Sequence, residues 1–422
     1  MFVPQRRIWH AALILIFPVT ISFPVNISAK ETLLRMSVRA GDHALIDRPV
    51  SVPIKDYRPG PEQGALRLEE ISRGERRIVP CQVETADPPK LWWILDGITK
   101  PGTERVFELS RAPTEATSLV EISMDSTGLA LGWADREALR YIYGTIPPPD
   151  PASDLYRRSG FIHPVRTPGG KVLTRIHPSD HIHHMGFWAP WTKTEFEGRA
   201  VDFWNLGEGE GTVRFTGFKH LQTGPVFGEF VAQHQYIDLT APGEAKVALN
   251  EEWQVRLWKV GGPQDDFWLW EFVITQRCAT QSPLIIKQYR YGGFGFRGTA
   301  DWNAENSNYL TSLGKTREDG NGTRTRWCDV FGVTDKGMAG IVFLSHPENY
   351  THPEPVRIWP QGDVFFGFCP VVNSDWTLKP GISYTRRYRI YVHDGEISQS
   401  RAELLWQNYA ASPDIQVERM SK

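Results

Sequence analysis

Short runs of alternating apolar and polar residues, each cut off by glycine or proline, recur along almost the whole chain. They constrain the fold more than any other feature. Leu33-Leu34-Arg35-Met36-Ser37-Val38, Val120-Glu121-Ile122-Ser123-Met124 and Phe230-Val231-Ala232-Gln233-His234-Gln235-Tyr236 are examples. A period of two sends successive side chains to opposite faces, which is the geometry of a half-buried strand. The 37 glycines and 31 prolines supply turns, and the many Trp, Tyr and Phe residues suit a pleated surface better than a helix. Only residues 398–410 read as a helix, with Ala402, Leu405, Trp406 and Tyr409 on one face at helical spacing. The pattern predicts an all-β fold: a large antiparallel β-sandwich over residues 116–422, preceded by a smaller β domain over 30–115, with one C-terminal helix. No solenoid-type repeat is present.

The first 29 residues read as a signal peptide. Arg6 and Arg7 precede an apolar stretch over 11–25 that Pro18 and Pro24 interrupt, and Asn26-Ile27-Ser28-Ala29 offers a small-residue cleavage site. The expected location is periplasmic or secreted, with no membrane association after cleavage. A net charge of −2 supplies no global field for nucleic acid. Cys81, Cys278, Cys328 and Cys369 are even in number, which permits disulfides in an exported chain, but their spacing fits no CxxC metal site. Their pairing stays open.

The chemistry concentrates in Ile176-His177-Pro178-Ser179-Asp180-His181-Ile182-His183-His184-Met185-Gly186-Phe187-Trp188. Four of the chain's twelve histidines fall between positions 177 and 184. If residues 181–184 are extended, His181 and His183 share a face. If Pro178 starts a helical turn, His177, His181 and His184 do. Either way two imidazoles meet beside Asp180. They can work as a general base or acid, with Asp180 fixing the tautomer, or Asp180, His181 and His183 can hold a divalent metal. His181, His183 and His184 are therefore catalytic candidates. In Gln288-Tyr289-Arg290-Tyr291-Gly292-Gly293-Phe294-Gly295-Phe296-Arg297-Gly298, Tyr291 can exchange a proton and Arg297 can hold a carboxylate or neutralise developing charge. His163, His346 and Arg357 are further candidates for substrate binding. Trp188, Trp191 and Trp204 are candidate stacking platforms for sugar rings. There is no serine nucleophile elbow and no HExxH motif.

Four motifs together resemble one family. They are Arg158-Ser159-Gly160-Phe161-Ile162-His163-Pro164, Asp180-His181-Ile182-His183-His184-Met185-Gly186, Tyr291-Gly292-Gly293-Phe294-Gly295-Phe296-Arg297-Gly298 and Tyr388-Arg389-Ile390-Tyr391-Val392-His393-Asp394-Gly395. The family is the exported bacterial family of unknown function labelled methane oxygenase PmoA, and the resemblance runs from Ser118 to the end. Leu378-Lys379-Pro380-Gly381 and the Tyr/Arg-rich strand after it are similar to the closing strands of galactose-mutarotase-like sandwiches. The resemblance implies a mutarotase-like supersandwich behind a variable N-terminal β domain, in bacteria that degrade complex polysaccharides. The expected function is an exported carbohydrate-active enzyme that performs elimination, epimerisation or hydrolysis on a sugar or uronate by His/Tyr acid–base chemistry. Its partner is an oligosaccharide or another polar small molecule. The alternatives are a glycan-binding protein without catalysis and, following the family label, a metal-dependent oxidoreductase.

Overall fold

The alternating runs pair as antiparallel strands. The computed structural model describes residues 32–55, 65–85, 87–112, 119–261 and 267–420, and the expected leader over 1–29 lies outside them. Within the described residues the chain is all-β apart from one α-helix and two short 3₁₀ turns.

One sheet of the main sandwich has eight strands. Long strands Gly211–Gln222, Phe227–Asp238, Lys246–Trp258 and Phe267–Cys278 form a meander, and Tyr384–Asp394, Gly337–Ser345, Trp327–Thr334 and Ser307–Thr311 complete it. Its inner face packs on a nine-stranded sheet. There Phe187–Trp188 lies between Phe161–Val165 and Gly295–Arg297, and Phe365–Phe368 follows beyond the latter. Phe187, Phe294, Phe296 and Phe366 interdigitate with Trp253, Phe272, Phe343 and Tyr388 from the eight-stranded sheet, all buried in one core. Each such burial contributes about 1.5–3 kcal/mol relative to leaving the ring in water. This is why the aromatic content appears as sandwich filling.

A second, smaller sandwich holds its own core of Met36, Val38, Leu68, Trp93, Leu95, Phe107 and Leu109. Its five-stranded sheet takes Asp414–Arg419 as an edge strand beside Thr32–Arg39, so the two ends of the described chain meet. The predicted helix is present as α1 (Gln399–Ala410), and the Ser398 hydroxyl accepts from Arg401 N at its start. Ala402, Leu405 and Tyr409 are buried against Trp327, Val342 and Leu344. Asn408, outside the apolar pattern, is buried too. Its amide accepts from Ile46 N at 3.1 Å and donates to Ala44 O at 2.8 Å, which pins α1 to the smaller sandwich.

All four cysteines are free thiols, and Cys328 and Cys369 are buried. No helix among the described residues is long and apolar enough to cross a membrane.

Candidate active site

The histidine loop springs from the middle of the nine-stranded sheet. Ile176 and Met185 form an antiparallel bridge that closes residues 177–184. Inside it, His181 N donates to Pro178 O at 3.0 Å and His184 N donates to His181 O at 2.9 Å. The segment is therefore two successive turns, neither the extended strand nor the single helical turn that spacing allowed. Pro178 supplies the carbonyl that closes the first turn. Gly186 sets where the loop leaves the sheet. It has φ +60°, and a Cβ there would lie 2.4 Å from the Ile162 carbonyl oxygen, so no larger residue fits.

These turns gather three imidazoles. The rings of His181 and His184 stack 4.8 Å apart at 15°, and His183 stands edge-on at 5.7 Å from His181 and 4.7 Å from His184. His177 does not join them. Its Nδ1–H donates to Ile182 O at 2.8 Å inside the loop.

Behind His181 runs a charged relay. A carboxylate only accepts, so His181 Nδ1 carries the proton it donates to Asp180 Oδ2 at 3.0 Å. Nε2 is left as the atom free to take a proton. Arg297 Nη2 donates to both Asp180 oxygens at 2.7 and 2.6 Å and to Asp363 Oδ2 at 2.8 Å. Arg175 also donates to Asp363. Partial burial works to raise the Asp180 pKa, but the bonds from Arg297 and His181 outweigh it and hold Asp180 below the usual carboxylate range. The Arg297 side chain is fully buried, and its guanidinium lies 4.9 Å from the centre of the Trp359 ring.

The three histidines border a cleft of about 270 Å³. Trp204, Trp359 and Phe365 supply its apolar wall, and Asn205, Tyr291, Arg290 and Arg357 its polar groups. Tyr291 Oη donates to Asn205 Oδ1 at 3.3 Å. Burial pushes the Tyr291 hydroxyl up to about 12, so it stays protonated at neutral pH.

Several expected site residues lie elsewhere. Trp188 and Trp191 are completely buried and Trp204 is 1% exposed, so none of the three can act as a sugar platform, although Trp204 closes part of the cleft wall. Trp188 packs 4.7 Å beneath His184, and Trp191 donates to Gln276 at 3.0 Å in the interior. His163 sits beneath the loop with Nδ1 2.9 Å from Thr174 Oγ1. His346 packs 5.1 Å from Tyr409 on α1. Arg297 does not line the cleft, so it holds Asp180 rather than a substrate carboxylate. Because Asp180 is taken by Arg297 and His181, the metal set of Asp180, His181 and His183 does not assemble. Among the described residues no group of three His, Cys, Asp or Glu side chains is placed to hold a metal. His181, His183, His184, Tyr291 and Arg357 do meet at the cleft. Trp359, Phe365, Asn205 and Asp363 were not anticipated. A tryptophan followed by Pro360-Gln361-Gly362 at a strand end was the available signal for Trp359.

Burial, reinforced by the positive field of His181, Arg158 and Arg297, pulls the His183 pKa down to about 4, and burial does the same to His163. Both are neutral in the fold where the unfolded chain would be protonated. Their contribution to stability is thus complete above about pH 6.5 and is lost as pH falls toward 4. A series of thermal melts between neutral pH and pH 4 should show a falling midpoint, and His183→Gln should flatten the fall. A variant curve parallel to the parent's would assign the loss to other groups.

Residues 129–407 match the family described as "Family of unknown function (DUF6807)". The chain belongs to that family. No curated protein matches it. Among solved structures, an alpha-mannosidase from Enterococcus faecalis V583 is similar at 10% identity and a TM-score of 0.47, over 92% of this chain and 46% of that one. The heparan sulfate lyase HepC from Pedobacter heparinus is similar at 9% identity and a TM-score of 0.29, over 68% of this chain and 37% of that one. The chain thus spans less than half the length of either. Nothing in these comparisons carries the methane-oxygenase label or the mutarotase likeness, and the family description names no activity. Function is read from the cleft.

Proposed function

We propose that the protein is an acid–base enzyme acting on a saccharide outside the cytoplasm, by elimination or epimerisation. The observation that carries this reading is the Arg297–Asp180–His181 relay opening onto a cleft with a protonated tyrosine. His181 Nε2 takes a proton from a ring carbon, and Asp180 stabilises the imidazolium that forms. Tyr291 donates its proton to the leaving oxygen in an elimination, in which the C–H and C–O bonds break and a C=C bond forms. In an epimerisation it returns a proton to the opposite face of the carbon. The Trp359 ring is the partly exposed tryptophan beside this machinery and offers a face for a sugar to stack on.

Hydrolysis is less well served. Glycosidases typically use a pair of carboxyl groups flanking the bond, and among the described residues no Asp or Glu lines this cleft. A purely glycan-binding role gives no reason for a histidine whose tautomer a buried arginine and a carboxylate enforce. A screen of plant and algal oligosaccharides by mass spectrometry tests the proposal. Elimination splits a chain without adding water, epimerisation leaves mass unchanged but alters chromatographic retention, and hydrolysis adds one water. Products that all carry an added water would overturn it.

A further inference from the structure

We infer that the cleft recognises an anionic group on its saccharide, a carboxylate or a sulfate ester, through Arg290 and Arg357. The inference rests on the cleft being the saccharide site and adds the substrate class. Many arginines in the fold meet carboxylates: Arg199 pairs with Asp238, Arg256 with Glu229, Arg389 with Glu271, and Arg297 with Asp180 and Asp363, while the buried Arg158, Arg317 and Arg386 are held by carbonyl or hydroxyl oxygens. Arg290 and Arg357 are paired with no carboxylate among the described residues. The guanidinium of Arg290 lies 5.8 Å from the Tyr289 ring and 5.7 Å from the Tyr291 ring, in contact with no carboxylate among the described residues. Among the described residues the side chain of Arg357 donates only to the neutral Asn321 Oδ1, at 3.3 Å.

The nearby acids are already engaged. Asp180 and Asp363 face Arg297, and Asp202 accepts from Trp204 N, Asn205 N and Asn205 Nδ2. Two arginines without a carboxylate partner among the described residues therefore border one cleft in a chain whose net charge is −2. A single exposed arginine is usually a solvated surface charge. Two converging on the same concavity, beside a base and a proton donor, have a purpose that a neutral sugar would not use. The planar fork of arginine matches carboxylate and sulfate oxygens. A cation on a carboxylate also stabilises the charge that develops when the adjacent carbon loses its proton.

Titration calorimetry with oligogalacturonate, its methyl ester and a sulfated galactan oligosaccharide tests this on the parent protein, Arg290→Gln, Arg357→Gln and Arg357→Lys. The acidic sugar should bind about tenfold or more tightly than its ester, and each glutamine variant should lose about tenfold for the acid and little for the ester. Arg357→Lys should recover part of the loss, and added salt should weaken the parent's binding. The better of the carboxylate and sulfate arms identifies the anion. Equal binding of acid and ester, variants that bind like the parent, or no binding of either anionic sugar overturns the inference. Charge-dependent binding without turnover would remove the acid–base reading and leave the arginines' role standing. Turnover indifferent to charge would do the reverse.

Discussion

Replacing His181 by alanine is expected to lower kcat by about 10²–10⁴-fold on whichever saccharide the parent turns over, with the fold intact. That is the usual contribution of a positioned general base. His181 has the two attributes such a base needs. Its Nδ1–H is committed to Asp180 at 3.0 Å, and its ring borders the cleft. The side chain is 39% exposed, so removing it opens no core cavity, and the melting temperature should stay near the parent's. His184 would be the wrong residue for this test. It is buried against Trp188 and Phe365, and truncating it would damage packing as well as chemistry. Turnover by His181→Ala within about tenfold of the parent would sink the assignment of the base.

Replacing Arg297 by methionine is expected to cost both stability and rate. The guanidinium is fully buried and is the common partner of Asp180 and Asp363. Stranding a charge by removing its partner costs about 3–5 kcal/mol when the remaining charge is buried. Here the two carboxylates are 40% and 35% exposed and recover water, so the expected cost is lower, about 2 kcal/mol. Urea unfolding would read this as a lower midpoint with an unchanged slope. The rate should fall because Asp180 is no longer pinned and the His181 tautomer relaxes. A kcat loss of about 10–100-fold with KM nearly constant is the expected split, because Arg297 stands behind the cleft and does not touch substrate. Lysine at this position should restore part of the stability but not the geometry, since it lacks the planar nitrogens that reach both carboxylates. A variant that loses stability but keeps kcat would reduce Arg297 to a structural ion pair.

The histidine loop and the all-β class were both legible in the sequence. Period-two alternation in Leu33–Val38 or Phe230–Tyr236 is a local property, because a pleated strand must put neighbours on opposite faces whatever it later packs against. The single amphipathic run at 398–410 was readable for the same reason.

Tertiary structure alone decided which residues face the cleft. Alternation assigns a tryptophan to a face but cannot tell whether a second sheet covers that face. Trp188 and Trp191 looked like platforms from their place beside the histidines, yet the packed sandwich buries both. Trp359 and Phe365, well over a hundred residues downstream, form the aromatic wall because Phe365–Phe368 pairs with Gly295–Arg297, which in turn pairs with Phe187–Trp188. Arg297 was recognisable as a cation of interest. Its direction, inward to Asp180 and Asp363, depends on which loops the neighbouring strands bring against it. Strand pairing across long separations is set by the summed burial of whole sheets, and no short stretch of sequence contains that sum.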